Sequence, residues 1–383
     1  METMKIWIDA TPVIHGERAI RRNTRNLLSS LLSRNRADYG LLYFDQRGNS
    51  PGRLTLPPKG GSRERVRRWP VRLLLPGWRW FGEPSFERLV GKVDLLYSPD
   101  LYFPPVRRGK VLSTIRGIVY LKRKDLLNPS QRRRLTKAFS YARLRSNYFL
   151  AVSETTRRDL LECTDIPEER IYVVTHGVDP RFKILPKDSS WQAVRKRFNL
   201  NRPYLLYVGA VAIHKNVLGL VEAFSLVASQ ERNLDLVLAG PEETATYLAR
   251  AKVYAKQLEN RVHFLGQIEQ EGPTLVELYN AAEMLVFPSF YEGWCAPPLE
   301  AMACGKPAVC SSVPAVAEVV GDAGVLVNPK DPEAIADAIC KVLNDSGFRQ
   351  QLIGNGIDHV AQHTWDRAAE QLETIFANLL STI

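Results

Sequence analysis

Short apolar runs recur along the chain, each bounded by polar or turn-forming positions, and helical periodicity fills many of the gaps. In the first half the runs at 5–9, 39–45, 93–97, 110–115, 148–152 and 170–175 read as strands. Leu27, Leu28, Leu31 and Leu32 return to one face at steps of three and four, which predicts a helix. The second half alternates more regularly, with strands predicted at 204–208, 234–239, 262–265, 284–287, 308–310 and 324–327. A helical pattern follows nearly every one, so βαβ units and a parallel sheet are expected. Asp331-Pro332-Glu333 opens a helix with a capping carboxylate and a proline at the first helical position. A final helix runs from about 365 to 380. Gly177, Asp179-Pro180 and Pro186 punctuate 176–190 without apolar periodicity. A linker there divides two α/β domains, 1–180 and 181–383. The stretch 47–62, rich in Gly, Pro and Lys/Arg, predicts an exposed loop.

Composition adds little to this picture until charge is considered. The 383 residues are 45% hydrophobic and 24% charged, as expected of an ordered globular protein. No apolar run approaches the ~18–20 residues of a membrane span. The opening run Lys5-Ile6-Trp7-Ile8-Asp9 reads as a strand, so no secretory leader is expected. Five cysteines (Cys163, Cys295, Cys304, Cys310 and Cys340) form no C-x-x-C pair, which suits a reducing cytosol and excludes a zinc ribbon. The net charge of +11 is uneven: residues 1–190 hold 37 Lys and Arg against 19 Asp and Glu, whereas 191–383 hold 15 against 22. Residues 101–150 carry 13 basic side chains and one acid, Asp125. In 63–81, Arg65, Arg67, Arg68, Arg72 and Arg79 interleave with Trp69, Trp78, Trp80 and Phe81. Arginine attracts anionic headgroups and tryptophan suits the apolar boundary, so this stretch predicts contact with an anionic membrane surface. Pro70 and Pro76 limit it to a loop or short helix. The same charge would attract nucleic acid, but no motif for it is present.

Two strand-to-helix loops of the second half carry the candidate chemistry, since parallel sheets bind ligands at the carboxyl ends of their strands. The first runs from Gly209 and Ala210 through Lys215 to Asn216, with an amphipathic helix behind it. Open amides, the helix dipole and the Lys215 ammonium suit a phosphate or diphosphate, with Asn216 as the expected cap. The second runs from Phe287 through Glu292 to Glu300, interrupted by Pro297-Pro298. Free amide donors are expected at Gly293, Trp294, Cys295, Ala296, Leu299 and Glu300. Two carboxylates with neutral amides suit a polyhydroxylated sugar and a ribose diol.

The Glu292-to-Glu300 loop resembles the glutamate–seven residues–glutamate motif of the family 4 retaining glycosyltransferases. The resemblance continues through Lys306-Pro307-Ala308-Val309-Cys310 and from Glu318 to Val327. It reappears at Gly209 to Asn216, at Ala151-Val152-Ser153-Glu154, at His176-Gly177-Val178-Asp179 and at the opening strand. It is most specific over 150–345 and collinear over the first half. It implies the α/β GT-B fold, in which two Rossmann-like domains face each other across a cleft, with the last helix crossing back to the first. It further implies that Glu300 binds the donor ribose and Glu292 the donor sugar, while Lys215 neutralises the diphosphate. Backbone at Gly266-Gln267 would face the base. Transfer would be retaining and metal-independent, with the nucleotide-sugar as a substrate rather than a cofactor.

Several positions depart from the family pattern. Ala210 stands where arginine is common, Ala19-Ile20-Arg21 replaces Gly-Ile-Gly in the N-terminal loop, and Cys295 replaces a common glycine. Arg116-Gly117 replaces His-Asp, which makes Arg116 a candidate catalytic residue; Gly16, Arg21 and Arg22 are candidates on the acceptor side. The expected function is hexose transfer, leaning to GDP-mannose over UDP-sugars, onto a lipid-linked or cell-envelope polysaccharide at the cytoplasmic membrane face. A silent scaffold that binds a sugar nucleotide is the alternative, with nucleic-acid binding more remote.

Overall fold

The computed structural model describes residues 5–16, 18–46, 63–269 and 272–381. The loop expected at 47–62 lies outside the described residues. The chain divides into two compact units, one of Met1–Lys124, Asn128–Gly177 and Trp365–Ile383, the other of Asp125–Leu127 and Val178–Thr364.

The first unit is built on seven strands: β1 (Ile6–Asp9), β2 (Tyr39–Phe44), β3 (Arg63–Arg67), β4 (Leu95–Ser98), β5 (Lys110–Ile115), β6 (Tyr148–Ala151) and β7 (Ile171–Val173). All pair in parallel in the order β3-β2-β1-β4-β5-β6-β7. Strands β1, β2 and β4 are fully buried, as expected where helices cover both faces of a sheet. The sequence of β3, Arg-Glu-Arg-Val-Arg, holds a single apolar residue, so no hydrophobic signal announces it. Its order comes from the ladder to β2, Gly40 to Arg63 through Phe44 to Arg67. A charged edge of this kind discourages pairing with other chains. The basic-aromatic stretch is therefore a strand followed by a helix, Val71–Trp80, which accommodates Pro76 within it.

The helix Trp365–Ser381 belongs to this first unit. Trp365, Ala368, Leu372, Ile375, Phe376 and Leu379 recur at steps of three and four, and all are buried in the core shared with β1, β2 and helix Arg18–Arg34. Arg34 holds the partner helix in place through Asp366 (2.9 Å), Glu370 (3.2 Å) and Glu373 (2.8 Å).

The second unit has six parallel strands: β8 (Tyr204–Val208), β9 (Asp235–Ala239), β10 (Val262–Gly266), β11 (Met284–Phe287), β12 (Ala308–Ser311) and β13 (Val325–Val327). Their order is β10-β9-β8-β11-β12-β13. The expected cap at Asp331 forms, its carboxylate accepting from the Ala334 amide at 3.0 Å. In each sheet the chain winds outward from a central strand and then returns to its other side. The order therefore reverses between β1 and β4 and between β8 and β11, where ligands of doubly wound sheets bind.

Candidate active site

At the second reversal the chain leaves β8 through Gly209 and leaves β11 through Pro288. Strand exits crowd one another here. The Gly209 amide donates to Ala239 (3.0 Å), and that of Gly240 donates to Gly266 (2.9 Å). A Cβ on Gly240 would lie 2.0 Å from the Gly209 carbonyl oxygen, so only glycine fits. Ala210 follows, its carbonyl accepting from the Tyr207 hydroxyl at 2.8 Å. A 3-10 turn, Ile213–Lys215, then leads into helix Val217–Gln230.

Asn216 does not serve as the expected side-chain cap. It adopts a left-handed conformation (φ 57°), which asparagine tolerates, and its Nδ2 donates to the carbonyls of Pro288 (3.0 Å) and Pro329 (2.6 Å). The Phe290 amide donates to the His214 carbonyl at 2.8 Å. These bonds lace the loop after β8 to the loop after β11. Their product is a contact between residues 77 positions apart: Lys215 Nζ lies 2.6 Å from Glu292 Oε1. The side chains are 18% and 8% exposed, so the pair is largely shielded from water. Burial, then the neighbouring Lys215, pushes the His214 imidazole down to about 4, and it is neutral at pH 7. Burial, then Glu292, pushes the Tyr207 hydroxyl and the Cys295 thiol well up, so both keep their protons.

Glu300 is the fifth residue of helix Ala296–Ala303 and is almost fully buried. Its Oε2 accepts from the Tyr279 hydroxyl at 2.8 Å. That depth in the helix corrects one expectation: the Glu300 amide falls inside the helical ladder and is not an open donor. Ala296 and Leu299 keep the open amides of the first turn, while the Leu299 and Cys295 side chains are buried in the core. Gly293 and Trp294 lie in the loop before this helix. Gly266 (φ +65°) turns the chain off β10, and the Gln267 side chain donates to the Ile268 carbonyl at 3.2 Å.

The remaining candidates belong to the first unit. Arg116 leaves β5 and donates through Nη2 to Thr24 Oγ1 (3.1 Å) and the Pro99 carbonyl (3.2 Å), while its Nε finds no acceptor among the described residues. Burial lowers its pKa. Beside it, burial and then Arg116 hold His176 well below the usual imidazole range. Ala19, Ile20, Arg21 and Arg22 lie within helix Arg18–Arg34 rather than in a loop, and both arginines are half-buried. Gly16 closes the short helix Pro12–His15.

Profiles of two families match the chain. That described as "Glycosyl transferases group 1" matches 191–359, and that described as "Glycosyltransferase Family 4" matches 30–182. The chain belongs to the group 1, family 4 glycosyltransferases. The O-antigen chain mannosyltransferase B of Escherichia coli is 29% identical over 281 residues, 73% of each chain. Among solved structures, sucrose-phosphate synthase from Thermosynechococcus elongatus superposes with a TM-score of 0.76 at 21% identity, over 99% of this chain and 100% of that one. Anabaena HepE, solved with UDP and glucose, superposes at 0.70 and 16% identity, over 98% and 100%. With seven- and six-stranded parallel sheets, the glycosyltransferase has the GT-B fold.

Sequence reasoning about this glycosyltransferase missed Tyr279 and His214. Tyr279 sits in the apolar pattern of helix Thr274–Ala281 and reads as core, which in part it is. The pairing of a buried tyrosine with a buried glutamate has no signature in sequence spacing.

Proposed function

We propose that the enzyme transfers a hexose from a nucleotide-sugar to a glycan acceptor with retention at the anomeric carbon, and that GDP-mannose is its donor. The observation that carries this reading is the shielded Lys215–Glu292 pair at the reversal of the second sheet. Lys215 would trade part of its contact with Glu292 for a diphosphate oxygen, and Glu292 would accept from the donor sugar's hydroxyls. Glu300, oriented by Tyr279, would take the ribose diol, with backbone at Gly266 and Gln267 facing the base. Backbone at Ala210, Gly293, Trp294, Cys295, Ala296 and Leu299 would complete the donor site, whereas the Gly209 amide is already engaged by the Ala239 carbonyl. In the reaction the bond from the anomeric carbon to the diphosphate oxygen breaks as the acceptor oxygen bonds to the same face. The acceptor proton passes to the departing phosphate oxygen. Lysine and amide dipoles supply the charge stabilisation, so no metal is required. Arg116, Arg21 and Arg22 would serve the first unit's side of the reaction.

The relative that acts in O-antigen mannosylation supports mannose and a cell-envelope polysaccharide acceptor. We also propose peripheral binding at the cytoplasmic membrane face. Leu73, Trp80 and Phe81 are each at least three-quarters exposed on or beside helix Val71–Trp80. Arg145, at the end of the basic helix Pro129–Arg145, donates to the Trp78 carbonyl at 2.9 Å, joining the two basic segments. Anionic vesicles should sediment the enzyme at low salt, and Trp80→Ala/Phe81→Ala should weaken this. Equal retention by zwitterionic vesicles would refute the electrostatic part.

The decisive experiment presents a panel of GDP- and UDP-sugars to the pure enzyme and follows binding, slow hydrolysis and the anomer of the released sugar. Preferred turnover of GDP-mannose with retained configuration is expected. Binding without sugar release from any donor would instead identify a silent scaffold.

A further inference from the structure

Where the chain leaves β8, most backbone donors are already spent. The amides of Gly209, Val211 and Ala212 donate to the carbonyls of Ala239 (3.0 Å), Pro241 (2.9 Å) and Ala210 (2.9 Å). Between Gly209 and Ala212 only the Ala210 amide meets no acceptor among the described residues, and Ala210 is half-buried. The rest of the turn sets its direction. The Gly209 carbonyl oxygen packs against Gly240 so closely that a Cβ there would lie 2.0 Å from it. In a trans peptide the N–H points opposite to the C=O, so the Ala210 N–H faces away from the exit of β9. Strand β11, whose exit loop carries Glu292, lies on the other side of β8.

An aromatic pair underlies this turn. Tyr207 and Phe287, near the ends of adjacent strands β8 and β11, stack with centroids 6.4 Å apart and planes inclined at 18°. Lys215 Nζ stands 5.5 Å from the centre of the Phe287 ring. Tyr207 is fully buried, and its hydroxyl donates to the Ala210 carbonyl at 2.8 Å. Both peptides that flank Ala210 are therefore fixed, one by packing against Gly240 and the other by Tyr207 and the Ala212 amide. The alanine side chain is too short and too apolar to stabilise a phosphate, so the backbone is what position 210 can offer. A donor held in place before the reaction stabilises developing charge without any cost of reorganisation.

We propose that Tyr207 is a positioning residue: its hydroxyl fixes the Ala210 peptide so that the Ala210 N–H donates to an oxygen of the departing diphosphate, alongside Lys215. The proposal rests on the reading of this reversal as the donor site. It adds which amide meets the leaving group and what holds that amide there.

Tyr207→Phe keeps the ring and removes only the hydroxyl, and the Ala212 amide still satisfies the Ala210 carbonyl, so the fold should survive. The full-length enzyme and this variant are titrated with GDP, GMP, UDP and UMP by calorimetry, and release of nucleoside diphosphate from the preferred donor gives kcat. Removing a preorganised donor outright costs about 10²–10³ in rate; loosening one should cost about tenfold in kcat and about tenfold in diphosphate affinity. Monophosphate affinity should stay the same, so the preference for diphosphate over monophosphate falls about tenfold. A merely structural role would weaken both nucleotides alike and leave that preference unchanged. Ala210→Arg tests the same place with Tyr207 intact: a guanidinium there should raise the preference at least about threefold. An unchanged preference in either variant overturns this proposal and leaves the donor site standing. A parent enzyme that binds neither GDP nor UDP overturns the donor-site reading, and this proposal with it.

Discussion

The Lys215–Glu292 contact permits a test that separates folding from chemistry. Replacing Lys215 by methionine keeps the length of the side chain and removes its charge, leaving the Glu292 carboxylate 8% exposed without its cation. Stripping one partner from a fully buried pair costs about 3–5 kcal/mol. Here Lys215 is 18% exposed, so water reaches the pair and the expected loss of stability is about 2–3 kcal/mol. Lys215→Met/Glu292→Gln, with both charges gone, should recover most of it. Turnover should behave differently. If Lys215 stabilises the departing diphosphate, its loss costs the transition state about 2.7–4 kcal/mol, or 10²–10³ in kcat, and the second substitution recovers none of it. Denaturant unfolding followed by tryptophan fluorescence measures the first quantity, and release of nucleoside diphosphate measures the second. Turnover by Lys215→Met within about threefold of the parent, a barrier change below ~0.7 kcal/mol, would refute the assignment. Parallel recovery of stability and turnover in the double variant would refute it equally, by showing that Lys215 acts only through the fold.

Two further outcomes follow from single contacts. Tyr279→Phe removes the donor to Glu300 Oε2 and should weaken nucleotide binding about tenfold with little change in kcat at saturating donor; calorimetry with GDP and UDP checks this. An effect on kcat alone would place Glu300 elsewhere in the reaction. Burial raises the Asp9 carboxyl from its ordinary 3.8 to about 6, so the native state binds the proton more readily and stability rises as pH falls through 6. Asp9→Asn should therefore exceed the parent by about 2–3 kcal/mol at pH 7, with the gap closing toward pH 4. Melting curves at pH 4.5 and 7.5 read the difference, and a pH-independent gap would contradict the burial argument.

Much of this architecture is legible before any coordinates, because buried parallel strands announce themselves as apolar runs. Strands β8 and β11 lie at 204–208 and 284–287 as their sequences predict. The failures have a common physical cause. Strand β3 derives its order from its neighbour's backbone rather than from apolar side chains, so the pattern is silent there. Asn216 has the residue type of a cap, yet its backbone is left-handed (φ 57°) rather than extended, and two carbonyls from distant loops hold its side-chain Nδ2. A cavity at the carboxyl ends of β1 and β4 gathers Asp9, Phe44, Trp78 and Asp100 across 91 positions, and no local window contains it. Lys215 and Glu292 were each visible as candidates, but only the reversal of the sheet brings them within 2.6 Å.

The return of helix Trp365–Ser381 to the first unit bears on the order in which the chain acquires structure during synthesis. Residues 178–364 emerge from the ribosome as an uninterrupted block with all six of their strands, and can close their own core. The segment made before them cannot, since one side of its core awaits Trp365, Leu372, Phe376 and Leu379. The earlier-made unit is thus the later to mature. Until that helix is made, its exposed leucines and tyrosines offer a binding surface to chaperones, and stop codons placed shortly before 365 should leave a product with an intact second unit and an aggregation-prone front.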